Sequence, residues 1–232
     1  MGIEEREVQF SSDGATAGGY LAAKSGDELR PGLILIQEWW GLNDHIKDIA
    51  RRFAEEGYVV LAPDLYDGKK TKDPEEAGKL MQGLNQSVAL QKLNSAVEYL
   101  KGLPEVDSER IGVTGFCMGG SYALLLACHN ESVKAAAPFY GDVPSEDELK
   151  RLSAPVLFIG AENDFWITQD KMARLDEGLK KFDKEGEVKV YKGVGHAFFN
   201  DTRPDAYDKD AAEDAWKRVI GFFESHLKSP AG

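Results

Sequence analysis

The chain has 232 residues, 42% of them hydrophobic and 29% charged. That balance excludes a disordered polymer, and the length suits one folded domain over residues 1–232. A net charge of −12 repels phosphate backbones and argues against a nucleic-acid partner. No apolar run approaches the roughly 18 residues of a membrane span.

The first residues, Met1-Gly2-Ile3-Glu4-Glu5-Arg6-Glu7, are charged and lack the apolar core of a secretory signal. Val8–Phe10 and Tyr20–Ala23 read as short opening strands. Leu33–Ile36, after Pro31-Gly32, has the continuous apolar character of a buried parallel strand. A helix follows from a cap at Asn43 or Asp44 through Glu56, with Ile46, Ile49, Ala50 and Phe53 recurring at helical spacing. Tyr58–Ala62 is the next strand, stopped by Pro63-Asp64, and Ser87–Leu100 the next helix. Ile111–Thr114 is a strand leading into a glycine-rich turn, and Ser121–Ala127 an apolar helix. Val133–Tyr140 and Pro155–Gly160 read as strands, Thr168–Phe182 as a helix, Val188–Tyr191 as a last strand and Asp210–Leu227 as a terminal helix. Alternating strands and helices imply an α/β fold with a mostly parallel sheet covered by helices on both faces. Such folds place their ligands beyond the carboxyl ends of the strands. The segment Gly141–Ser153 is too short to form a large lid.

Two cysteines, Cys117 and Cys128, fall near or on one helix, too far apart along its axis for a disulfide. A reducing, cytoplasmic setting is the expectation. The four histidines fall in no metal-ligand spacing, so no metal site is expected. There is no Walker A sequence and no G-x-G-x-x-G after the first strand, so no cofactor is expected either.

Gly115-Phe116-Cys117-Met118-Gly119-Gly120 links a strand to a helix, the context of a nucleophile elbow. There the nucleophile occupies a strained backbone conformation, and the flanking glycines admit neighbouring backbone. The Met118 N–H, at the helix start, can donate to an oxyanion. An isolated C-x-G-G is as readily a buried structural cysteine. Two further residues shift the balance. Asp164 follows the strand Pro155–Gly160, and His196 follows Val188–Tyr191, so both reach the rim that holds Cys117. The order nucleophile, acid, histidine fits an α/β-hydrolase. An imidazole helps to form the thiolate and returns the proton to the leaving group. A carboxylate orients the ring and stabilises imidazolium. Glu162 is a rival acid; His45, His129 and His226 are placed less well than His196.

Glu38, after Leu33–Gln37, also reaches the rim. Gln37-Glu38-x-x-Gly41, Ala62-Pro63-Asp64-Leu65-Tyr66, the elbow, Asn163-Asp164 and Gly195-His196-x-Phe198 together resemble the dienelactone hydrolase family, over nearly the whole chain. The resemblance implies a Cys117–His196–Asp164 triad acting through a thiol acyl-enzyme. It also implies that Glu38 contacts the resting thiol and helps to generate thiolate once substrate binds. The Trp39 N–H would be the second oxyanion donor, beside Met118. Characterised relatives hold an anionic lactone with arginines, a prominent one four residues after the histidine. Here that position is Asn200, and Arg203 is the nearest candidate to replace it. Trp40, Tyr140, Phe165, Trp166 and Phe198 fall on rim loops and are candidate substrate contacts. The expected partner is a small ester or lactone, with the chain as a monomer or small homo-oligomer. Alternatives are a broader carboxylesterase or thioesterase, and a non-catalytic ligand-binding relative.

Overall fold

The computed structural model describes residues 2–26 and 28–228. The chain opens with β1 (Ile3–Ser12) and β2 (Ala15–Lys24), an antiparallel hairpin closed by Asp13-Gly14. Both turn residues have positive φ, 49° and 77°, as a two-residue type I′ turn demands. Each strand is much longer than the three or four residues expected of it. The outer half of β1 carries exposed Glu4, Glu5 and Arg6, so no apolar pattern marks it.

β3 (Arg30–Ile36), α1 (Asp44–Glu55) and β4 (Val59–Pro63) follow, then α2 (Pro74–Gly83) and α3 (Gln86–Lys101). The sequence reading assigns no element at α2, because only Ala77 in it is buried. Its signals are local ones: the Asp73 side chain accepts from the Glu75 and Glu76 amides, and Pro74 stands in the first turn. β5 (Val106–Phe116), α4 (Met118–His129), β6 (Val133–Phe139) and the one-turn α5 (Glu146–Leu149) come next. β7 (Val156–Asn163), α6 (Gln169–Lys181), β8 (Gly186–Gly195) and α7 (Lys209–Leu227) complete the chain.

The eight strands form one sheet in the order β1-β2-β4-β3-β5-β6-β7-β8. β2 pairs antiparallel with both β1 and β4, and from β4 onward through β3, β5, β6, β7 and β8 every pair is parallel. The α/β fold with a mostly parallel sheet is as expected. Leu33, Ile34, Leu35 and Ile36 of β3 have no exposed surface, because helices cover both faces of the sheet. α1 and α7 share one face, where Phe53 meets Trp216 at 4.5 Å and Phe223 at 6.2 Å between ring centroids. α3, α4, α5 and α6 succeed one another on the other. No helix among the described residues is long and apolar enough to cross a membrane.

Candidate active site

Parallel strands bring their carboxyl ends to one rim, and three residues of interest stand there immediately after a strand. Cys117 follows β5, Asp164 follows β7 and His196 follows β8. Glu38 lies two residues beyond the end of β3.

Cys117 occupies the N-cap position of α4 with φ 57° and ψ −119°. That conformation costs an L-residue about 1–3 kcal/mol. Surrounding bonds hold it: the Cys117 amide donates to the Phe139 carbonyl at 3.1 Å, and its own carbonyl accepts from Gly120 N at 2.9 Å and Ser121 N at 3.2 Å. A Cβ on Gly119 would collide with the Ile36 and Gln37 carbonyls, and one on Gly115 with the Gly119 carbonyl. The elbow is thus pressed against the end of β3, and glycine is what lets it approach. Cys117 makes no side-chain cap bond, which leaves its thiol free at a helix N-terminus.

The backbone amides of Met118 in α4 and Trp39 in the loop after β3 lie near the Cys117 sulfur and favour its ionised form. Burial and the nearby Glu38 carboxylate outweigh them, and the thiol is pushed up to about 12. Glu38 is itself 1% exposed. Burial lifts its pKa to about 7, against the opposing pull of a hydrogen bond from Asn200 and the charge of Arg203. The resting site therefore holds a neutral thiol beside a carboxyl group whose burial favours its protonated form.

His196 Nδ1 and Asp164 Oδ2 are 2.7 Å apart. The other Asp164 oxygen accepts from the Trp166 and Ile167 amides at 2.8 and 2.9 Å, which fixes the carboxylate in orientation. The imidazole lies among Tyr140, Trp166 and Phe165, with ring centroids 5.0, 5.5 and 5.9 Å away. No side-chain hydrogen bond joins the thiol to His196 among the described residues. Tyr140 and Ala197 share positive φ with Cys117, at 37° and 65°. The remaining non-glycine residues of positive φ among the described residues are Asp13, Asp67 and Asp183, a type that tolerates this region. Strain in the less tolerant residues is concentrated around this site.

Other candidates fall in different places. Phe165 is 86% exposed at the rim. Trp40 packs edge-on against Trp39, and the Arg203 guanidinium lies 5.7 Å from the Trp40 ring while pairing with Asp205 at 2.7 Å. Phe198 requires a correction. It has no exposed surface and is packed between Tyr140 and Tyr191, so it is a wall behind the site and not a face of an open pocket. Tyr140 is equally enclosed, and its hydroxyl finds no hydrogen-bond partner of good geometry.

Asn200 is the residue the sequence reading passes over. Read as the place of a missing arginine, it is 1% exposed, and its Nδ2 donates to Glu38 Oε2 at 2.8 Å. Its own Oδ1 accepts from Thr202 N and Oγ1 at 3.0 and 2.6 Å. The neighbouring Asp201 pairs with Arg52 and lies 3.4 Å from His45 Nδ1, which ties the histidine loop to α1.

The dienelactone hydrolase family profile matches residues 17–227. The protein named usf from Aquifex pyrophilus is 36% identical over 95% of this chain and 98% of its own. A protein named as a carboxymethylenebutenolidase from Aquifex aeolicus is 34% identical over the same shares. The crystal structure of a protein described as a dienelactone hydrolase from Klebsiella pneumoniae superposes with a TM-score of 0.90 at 30% identity, covering 97% of this chain and 100% of that one. The likeness extends from β2 to the last turn of α7, and by it this chain belongs to the dienelactone hydrolase family of α/β-hydrolases.

Proposed function

We propose that the protein hydrolyses small carboxylic esters or lactones through an acyl-enzyme on Cys117. The observation that carries this reading is the strained elbow that sets Cys117 at the N-terminus of α4, on the same strand rim as the 2.7 Å His196–Asp164 pair, with the Trp39 and Met118 amides nearby. Donors so placed would serve the oxyanion that forms when sulfur attacks a carbonyl carbon. The thiol proton ends on His196, with Glu38 as a relay beside the sulfur. Asp164 holds the ring and stabilises the imidazolium. Collapse of the tetrahedral intermediate expels the alkoxide, which takes its proton from His196. Water then gives a proton to His196 and attacks the thioester; the acid departs and the thiol is restored.

Cys117→Ala should abolish turnover of p-nitrophenyl acetate. The wild type quenched in acid during turnover should carry an added acetyl mass on the Cys117 peptide. Full activity in Cys117→Ala would overturn the mechanism.

The surroundings of Glu38 favour a second reading, a broader esterase with no need for an anionic substrate. Asn200 is neutral, and Arg203, the cation whose charge reaches Glu38, is already paired with Asp205. If Arg203 holds a substrate carboxylate, Arg203→Ala should lower kcat/KM for dienelactone about tenfold or more, the scale of a lost charge-assisted bond, and barely change p-nitrophenyl acetate. Equal loss on both substrates would remove Arg203 from recognition.

A further inference from the structure

A groove of about 450 Å³ opens beside the elbow. Its near end is formed by Met118, which follows the nucleophile, and by Trp166, whose ring is 5.5 Å from that of His196. From there it runs along α4, past Tyr122 and Leu125, toward Val143 and Pro144 and across to Met81 on α2. Met118 is held in place by the Tyr66 hydroxyl, which donates to its sulfur at 3.2 Å. The Asp142 amide donates to Ser121 Oγ at 2.7 Å, so the loop after β6 is fastened to α4 at the groove's edge.

Charge narrows what the groove can take. Its two charged lining residues are both carboxylates, and both are already paired. Asp142 lies 2.8 Å from Lys171, whose ammonium sits over the Trp166 ring, and Glu148 pairs with His129. A ligand carboxylate in the groove would thus meet two acids and no unpaired cation. Apolar side chains form most of its wall.

We infer that this groove receives an uncharged, apolar arm of the substrate, either the acyl chain or the alcohol, while the ester carbonyl sits between Cys117 and the Trp39 and Met118 amides. The inference rests on the ester-hydrolase reading, and it names a substrate class that the triad alone does not.

Two substrate series test it: p-nitrophenyl esters from acetate to hexanoate, and alkyl acetates from methyl to hexyl. In one of them kcat/KM should climb about 4-fold per added methylene, the value of one buried CH₂. A terminal carboxylate on the favoured arm should cost about tenfold or more against its neutral isostere, since the charge would be buried unpaired. Val143→Trp, which fills the groove, should flatten the long-to-short ratio. Tyr122→Ala, which widens it without adding bulk, should move the optimum to longer chains. Flat profiles in the wild type, or a ratio unmoved by both variants, would overturn the inference. If no ester is turned over, the ester-hydrolase reading fails separately. The groove is then judged by binding of N-phenylhexanamide, followed as a shift of the Trp166 indole N–H in NMR spectra. Saturable binding that Val143→Trp abolishes supports the groove, and no shift overturns it.

Discussion

Glu38 and Cys117 are two acids buried near each other; burial raises both, and the Glu38 carboxylate makes ionisation of the thiol harder still. In an unfolded chain Glu38 titrates near 4.5; in the folded protein it titrates at about 7. Between those values the folded state holds the extra proton, so stability falls as pH rises through the interval. By pH 8 the cost reaches about 3 kcal/mol. Glu38→Gln keeps an acceptor for Asn200 and carries no charge. The variant should match wild-type stability near pH 4 and exceed it by about 3 kcal/mol at pH 8, as read by urea denaturation at both pH values. The same substitution removes the negative charge beside the sulfur. The thiol should fall below about 12, and iodoacetamide should alkylate Cys117 about tenfold faster for each pKa unit recovered. Ester turnover should fall at the same time, because the relay is gone. A stability difference that does not vary with pH would show that Glu38 is not the buried titrating group, and unchanged alkylation would remove it from control of the thiol.

At the scale of elements, the β5–α4 elbow depends on the end of β3. Gly119→Ala places a methyl against the Ile36 and Gln37 carbonyls, backbone that cannot move without parting β3 from β5. The expected loss is about 3 kcal/mol, the upper range for overpacking, with a lowered Tm in calorimetry and a weakened esterase. A Tm equal to the wild type would mean that the elbow has slack. The elbow was legible in the sequence because its demands are local: a β-rich apolar run, small residues at fixed offsets and an apolar helix. The strands of the parallel core were legible for a related reason, since burial on both faces leaves an unbroken apolar run such as Leu33–Ile36. Where burial is one-sided or slight, the pattern fades, as in the outer half of β1 and in α2. The partnership of Asn200 with Glu38 was illegible for another reason. It joins residues 162 positions apart, and nothing in either residue's neighbourhood announces it. Phe198 shows the converse failure: its place on a rim loop suggests a pocket face, yet in the turn after β8 its side chain is buried against Tyr140 and Tyr191.

For the molecule as a whole, the net charge of −12 is the long-range feature that a small anion meets first. At roughly 10 mM ionic strength the screening length is about 30 Å, comparable to the width of the protein, and at 150 mM it is about 8 Å. Dilute salt therefore lets the whole acidic surface repel an anionic lactone, whereas physiological salt leaves only groups near the rim. Those groups offer little attraction, because Arg203 is paired with Asp205 and Lys171 with Asp142. Raising salt from about 10 to 150 mM should increase kcat/KM for dienelactone several-fold and leave neutral p-nitrophenyl acetate flat. The sign decides between two pictures of recognition. A rise means that global repulsion governs approach and that an anionic substrate gains little from Arg203. A fall means that Arg203 leaves Asp205 to form a local anion site strong enough to override the net charge, and Arg203→Ala should then reverse the salt dependence of the lactone alone.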